Sequence, residues 1–238
     1  MNKETEILYG RNPVVEALKN GREANNIWTI KSTFNALRKE LAPFRRSLKI
    51  VDKNTLAKIT GRGDHQGIAL KTETFRYTSF DAIYEIAEGI VLVADGITDP
   101  RNLGAIIRTA VLMGVKGIII PEKHSSSITP VVCHTSAGAT EHIAISKVKS
   151  LAHSLNILKD RGFHISGAVL PSEDAIDIRD SEYHTKRALV MGSEGRGIRN
   201  KIESLCHDRV YIPQKTDFDS FNVSIATSIL LWEFRNKK

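Results

Sequence analysis

The chain has 238 residues, 41% hydrophobic and 26% charged, with a formal net charge of +7. That length allows one large domain or two modest ones with a sizeable core. No apolar run approaches the roughly 20 residues of a membrane span, and the opening "MNKETEILYG" lacks a signal-peptide apolar region. Two cysteines, Cys133 and Cys206, are too few for a disulfide framework, so a cytoplasmic protein is expected.

Residues 1–75 read as a small α/β unit. Asn12 is placed to cap a helix that starts at Pro13. "NIWTIK" (26–31) predicts a strand, Ser32 opens a helix through Leu41, and "LKIV" (48–51) predicts a second strand. Asp52 caps a third helix that stops before Gly61. The turn "GRGDHQG" (61–67) then leads into the strand "IALKTETF". Residues 76–88 are expected to be a linker with its own short helix.

From Gly89 to the end a second domain is expected. "IVLVAD" (90–95) is a continuous apolar run of the kind found in strands buried on both faces. The spacing predicts a helix over Asp99–Met113, a strand at 117–121, a small-residue segment at 135–142 and a strand "HIAI". A helix at Leu151–Arg161 and strands at 163–170 and 187–192 follow. A helix near Arg199–Cys206, a strand at 209–213 and a final helix over 222–235 complete the chain. This alternation is the pattern of an α/β fold with a mostly parallel sheet, in which ligands bind at the carboxyl ends of strands.

Charge is unevenly distributed. Residues 1–75 hold 14 Lys+Arg against 8 Asp+Glu, a net of +6, whereas residues 76–238 hold 20 against 19. A basic unit joined to a nearly neutral one suggests a polyanionic partner, nucleic acid first, although a basic surface can also serve solubility alone.

Three expected strand-end loops carry unusual chemistry. "DGITDPRNLGAIIRTA" (95–110) puts Leu103, Ile106, Ile107 and Ala110 on one helical stripe, with Asn102 in the first turn and Arg108 off the stripe. Gly104 in that first turn lowers helix propensity by roughly 1 kcal/mol relative to alanine, which suggests a close approach to the backbone. "GSEGRG" (192–197) lacks the spacing of a dinucleotide-binding loop and the lysine of a phosphate-binding loop. It offers free backbone groups and one carboxylate, Glu194. "PQKTDFDSFN" (213–222) places Ser220 and Asn222 at the start of the last helix, where capping explains either residue but explains both less well. The histidines have no recognised zinc spacing, so no metal is expected. No G-x-S-x-G elbow is present.

Taken together, "DGITDPRNLGAIIRTA", "LVMGSEGRGI" and "YIPQKTDFDSFNVSIATSI" resemble motifs one, two and three of the SpoU-type RNA 2′-O-ribose methyltransferases of the SPOUT superfamily. "YGRNPVVEAL" and "DHQGIAL" resemble the RNA-binding domain that precedes the catalytic domain in many members. The combination is most similar to the enzymes that methylate a guanosine of large-subunit ribosomal RNA. The resemblance implies S-adenosyl-L-methionine as cofactor, RNA as substrate, a homodimer with active sites near its interface, and a C-terminal domain (89–238) tied in a trefoil knot. It also implies an L30e-like first domain (1–75). Gly192, Ile212 and Phe221 match the cofactor-holding positions, and Asn102, Arg108, Glu194, Ser220 and Asn222 match the catalytic centre. The chain departs from the third motif at Thr216, where glycine is usual, with Asp217 and Asp219 close by. Transfer RNA as substrate and a non-catalytic RNA-binding assembly factor are the alternative readings.

Overall fold

A computed structural model describes residues 4–216 and 219–236. The chain divides into two compact units, one of residues 1–76 and 128–142 and the other of residues 77–127 and 143–238.

The first unit is a mixed sheet with helices around it. Its elements run β1 (Thr5–Tyr9), α1 (Arg11–Lys19), β2 (Asn26–Thr29), α2 (Lys31–Ala36), α3 (Arg38–Leu41), a 3₁₀ turn at Ala42–Ser47, β3 (Leu48–Ile50), α4 (Lys53–Thr60) and β4 (Ile68–Glu73). The strand order is β1-β4-β2-β3, with β4 antiparallel to both neighbours and β2 parallel to β3. Asp52 caps α4 as expected, accepting from the N–H groups of Asn54 and Thr55, both at 2.9 Å. Asn12 does not cap α1. The helix starts two residues earlier, after Gly10 at φ 95°, and the N–H of Arg11 donates to Gln66 Oε1 at 3.0 Å. A long-range side chain thus replaces the local cap.

The second unit contains α5 (Asp81–Tyr84), β5 (Gly89–Ala94), α6 (Pro100–Met113) and β6 (Gly117–Pro121). The chain then passes into the first unit as α7 (Pro130–Thr135) and a 3₁₀ turn at Ala139–His142. It returns as β7 (Ala144–Val148), α8 (Leu151–Asp160), β8 (His164–Ala168), β9 (Ile176–Asp177), β10 (Lys186–Met191), α9 (Asn200–Glu203), β11 (Asp208–Tyr211) and α10 (Val223–Asn236). All seven strands are parallel, in the order β7-β6-β5-β10-β8-β11-β9. The apolar run 91–94 is fully buried in β5, between β6 and β10, as its composition predicts.

The division differs from the sequence expectation in two places. Residues 77–88 are not a linker: Thr78 N–H donates to Ile145 O at 2.8 Å, and Ile83 is fully buried in the core with Val91, Ile119, Leu155 and Phe163. Gly117 makes room for it, since a Cβ there would lie 3.0 Å from Ile83 Cγ1. Residues 128–142, expected in the second domain, instead pack with the first unit, where α7 lies against β1 and His142 Nε2 is 2.7 Å from Glu16 Oε2. The expected strand at 142–145 accordingly starts later, at Ala144.

Candidate active site

The site is built at the carboxyl ends of the second unit's strands. In a parallel sheet the crevice opens where strand order reverses. Here β5 leads to β6 on one side and has β10 on the other. The loops after β5 and β10 therefore leave adjacent strand ends, and the chain after β11 returns as α10 to pack on α6.

The first loop is fixed by its helix signals. Asp99 accepts from Arg101 N–H at 2.7 Å, Pro100 occupies the first position, and Gly114 ends α6 in the left-handed region. Leu103, Ile106, Ile107 and Ala110 are fully buried, so one face of α6 is committed to the core. Asn102 is half-buried and Arg108 is exposed.

The glycine loop closes on itself. Ser193 and Gly197 exchange backbone hydrogen bonds of 3.1 and 2.9 Å, with Gly195 and Gly197 at positive φ. A Cβ on Gly192 would sit 2.1 Å from the carbonyl carbon of Gly197 and 2.2 Å from the nitrogen of Ile198, so no other residue fits there. The loop is tied down by Asp95, a residue the sequence reading did not single out. Its buried carboxylate accepts from the backbone N–H of Arg199 at 2.9 Å and from Arg199 Nε at 2.8 Å, with Nη2 2.6 Å from Oδ1. A buried carboxylate needs such compensation. The pair joins the end of β5 to the far side of the loop.

The third segment brings the loops together. Asn222 Oδ1 accepts from Ser224 N–H at 2.9 Å and from Ser224 Oγ at 2.6 Å, which caps α10. Its Nδ2 donates to Glu194 Oε1 at 2.5 Å and to Asn102 Oδ1 at 3.2 Å. One amide thus links residues 28 and 120 positions away.

Beside this trio is a cavity of about 700 Å³. Gly192, Glu194, Ile212, Ser220, Phe221 and Asn222 all line it. Ser220 makes no hydrogen bond to the trio among the described residues; its N–H donates to Asp219 Oδ1 at 2.7 Å. Thr216, the departure from the motif, is exposed and does not line the cavity, and Asp217 lies outside the described residues. A fourth wall, Ala168–Pro171 after β8, was missed by sequence reading, because nothing local shows that β8 lies between β10 and β11.

Arg108 stands apart. Six residues along a helix place it about 9 Å further and roughly 120° round from Asn102. It does not line the cavity, and no hydrogen bond or ion pair joins it to the trio. Arg108 instead flanks the seam where Thr109 Oγ1 meets Ser228 Oγ of α10 at 3.2 Å. Leu112, Ile225 and Trp232 are also exposed there, at 68, 52 and 53%.

Among the described residues no group of three His, Cys, Asp or Glu side chains is placed to hold a metal, and no helix is long and apolar enough to cross a membrane. Burial pushes both thiols, Cys133 and Cys206, up to about 12, well away from thiolate chemistry at neutral pH.

Two family profiles match the chain: the SpoU rRNA methylase family over residues 89–232, and the RNA 2′-O ribose methyltransferase substrate-binding domain over residues 7–78. A TrmH family tRNA/rRNA methyltransferase of Staphylococcus haemolyticus is 32% identical over 98% of this chain and 96% of its own length. The solved structure of an AdoMet-bound rRNA methyltransferase from Sinorhizobium meliloti superposes with a TM-score of 0.80 at 24% identity, covering 97% of this chain and 87% of that one. The SpoU methyltransferase AviRb from Streptomyces viridochromogenes, solved with AdoMet, gives 0.81 at 20% identity over 97% of this chain and 88% of its own. At those identities the two structures establish the fold.

Proposed function

Because the chain belongs to the SpoU rRNA methylase family of RNA methyltransferases, we propose that it transfers a methyl group from S-adenosylmethionine to a ribose 2′-hydroxyl of RNA. We take a guanosine of large-subunit ribosomal RNA as the target. The observation that carries this reading is the Asn102–Asn222–Glu194 trio at the rim of a cavity lined by Gly192, Ile212 and Phe221.

The residues present fit the cofactor. The cavity falls within the usual range for small-molecule sites, roughly 300–1,000 Å³. Gly192 permits a loop that a side chain would force open, and Ile212 and Phe221 supply apolar wall. The cofactor contributes an electrophilic methyl group carried on a sulfonium. The protein's part is placement, which is worth several kcal/mol, and control of one proton. Asn222 holds Glu194 and Asn102 through two hydrogen bonds from one amide nitrogen, where they orient the ribose. Ser220 lines the same pocket and offers a hydroxyl to a phosphate.

Arg108 is too basic to accept a proton. Its role in this reading is to hold the phosphate beside the target ribose and steady the developing alkoxide, while phosphate or water takes the proton. Its distance from the trio within one chain supports a homodimer. A second copy apposed through the face of Leu112, Ile225 and Trp232 would bring an Arg108 toward the neighbouring trio. Recognition of a 2′-hydroxyl also separates RNA from DNA. The resemblance further suggests an L30e-like first unit, a trefoil knot in the second, and a cytoplasmic setting. The mixed β1-β4-β2-β3 sheet and the strand β10 inserted between β5 and β8 are in keeping with the first two.

Transfer RNA is the second reading, since the Staphylococcus haemolyticus relative bears a name that covers both. Mapping ribose methylation across ribosomal and transfer RNA, in cells with and without the gene, tests both. A site lost from 23S-type RNA is the expected result. A site lost only from tRNA replaces the substrate, and no change in either RNA overturns the reading.

A further inference from the structure

The excess charge of the first unit is not spread evenly. Residues 38–49 contribute Arg38, Lys39, Arg45, Arg46 and Lys49 against Glu40 alone, a net of +4 in twelve residues. Lys19, Arg22, Arg62 and Arg76 of the same unit are paired with carboxylates. None of the five cations of 38–49 has an ion-pair partner among the described residues, and all five are exposed. Unpaired cations gathered on one arc have little structural use and repel one another.

This arc also has shape. It runs from α3 through the 3₁₀ turn to β3, which is the edge strand of its sheet and carries Ile50 at 54% exposure. A cavity of about 670 Å³ opens between residues 21–24 and 43–47, with Arg45 and Arg46 in its lining and Pro43 and half-buried Phe44 as apolar wall. Glu23 on the opposite wall disfavours a phosphate inside and leaves phosphates to the arginine rim. Anions outside and a flat ring inside suit a nucleotide whose base is not already paired.

We propose that residues 38–49 form a seat for single-stranded RNA, with successive phosphates on Arg38, Arg45, Arg46 and Lys49 and one base in the cavity against Phe44. The proposal rests on the RNA methyltransferase reading and adds the place where the substrate is gripped, within the first unit and apart from the trio.

The test uses the full-length protein and a fluorescein-labelled 12-nucleotide single-stranded RNA, titrated at several KCl concentrations. Each phosphate contact on a single strand contributes about 0.7 to the slope of log affinity against log salt. Arg45→Ala/Arg46→Ala is expected to flatten that slope by about 1.4. Phe44→Ala is expected to weaken binding roughly 5- to 150-fold with the slope unchanged. Both variants should keep the parent's circular dichroism spectrum and thermal melt, which shows that the first unit still folds, and should bind S-adenosylmethionine like the parent. Wild-type slope and affinity in the arginine variant would overturn the seat while leaving the enzyme reading intact, as would equal losses on a matching duplex. A parent protein that neither binds RNA nor methylates it would overturn both.

Discussion

Asn222 does two things with one side chain, and the two can be separated. Its oxygen caps α10 through Ser224, and its nitrogen donates to Glu194 at 2.5 Å and Asn102 at 3.2 Å. Asn222→Ala removes both. Losing an N-cap costs about 1 kcal/mol, which for a domain of this size lowers Tm by roughly 2–4 °C. Asn222→Ser restores a good capping oxygen but supplies no amide, so its Tm should stay near the parent's. The catalytic loss should be shared by both variants. A hydrogen bond to a charged acceptor is worth about 1.5–3 kcal/mol, or roughly 10- to 150-fold in kcat/KM. The trio lies at an open rim, which favours the lower half of that range.

The assay pairs thermal melts with methyl transfer from labelled S-adenosylmethionine to bulk ribosomal RNA. Glu194→Ala should be non-additive with Asn222→Ser, because each removes the same contact. Near-parental turnover by Asn222→Ser would show that the residue is only a cap, and the trio would lose its claim to chemistry.

Three further outcomes are expected. Arg199→Ala leaves the buried Asp95 carboxylate with only a main-chain donor; because Arg199 is 43% exposed, water repairs part of the loss, and about 2 kcal/mol, or 4–8 °C in Tm, is expected. An unchanged melt would mean that the pair does not anchor the loop. Gly192→Ala should weaken S-adenosylmethionine binding by calorimetry at least tenfold, since its Cβ would collide with backbone at 2.1 Å, whereas Gly195→Ala, with open space around it, should cost only its left-handed strain of about 1–2 kcal/mol; equal effects would remove the argument from close approach. His164 stacks on His184 at 3.7 Å and on His207 at 4.9 Å, and burial, then the neighbouring His164, holds both partners below their ordinary value of 6.5. The folded state therefore binds fewer protons than the unfolded chain just below pH 6.5, so stability is complete above that pH and declines as pH falls through it. Melts from pH 7.5 to 5.5 should show that decline more strongly in the parent than in His164→Asn, and parallel curves would refute the coupling.

Helix limits written by local chemistry were legible in the sequence. Asp52 and Asp99 cap where their position predicts, and Pro100 and Gly114 bound α6 as their backbone preferences require. Asn12 shows the limit of that logic. A capping residue was present, but Gln66 satisfied the helix from 55 residues away and the helix began earlier. The buried runs of β5, β6 and β10 were equally plain, because continuous apolar stretches have few other uses. What could not be read was membership. Nothing in residues 128–142 says that they leave their neighbours to pack with the first unit. Nor does anything in 77–88 say that Ile83 is core rather than linker.

The site divides along the same line. Ser220 and Asn222 drew notice locally because capping explains both less well than either, whereas Gly192 and Glu194 took their assignments from the resemblance of the second motif. A capping oxygen does not require an amide nitrogen beside it. Asp95 carried no such surplus; an aspartate after a buried strand reads as a turn, and only its contact with Arg199, 104 residues on, gives it a purpose. Arg108 is a different case. Its place in the first motif put it with the trio, while in the structure it is exposed and does not line the cavity. The proposed action of Arg108 on the trio of a second copy can be tested by complementation. A mixed dimer of Arg108→Ala and Asn222→Ser chains would then regain one intact site from two inactive proteins. Failure of such a mixture to exceed either parent would show that the arginine does not act across copies.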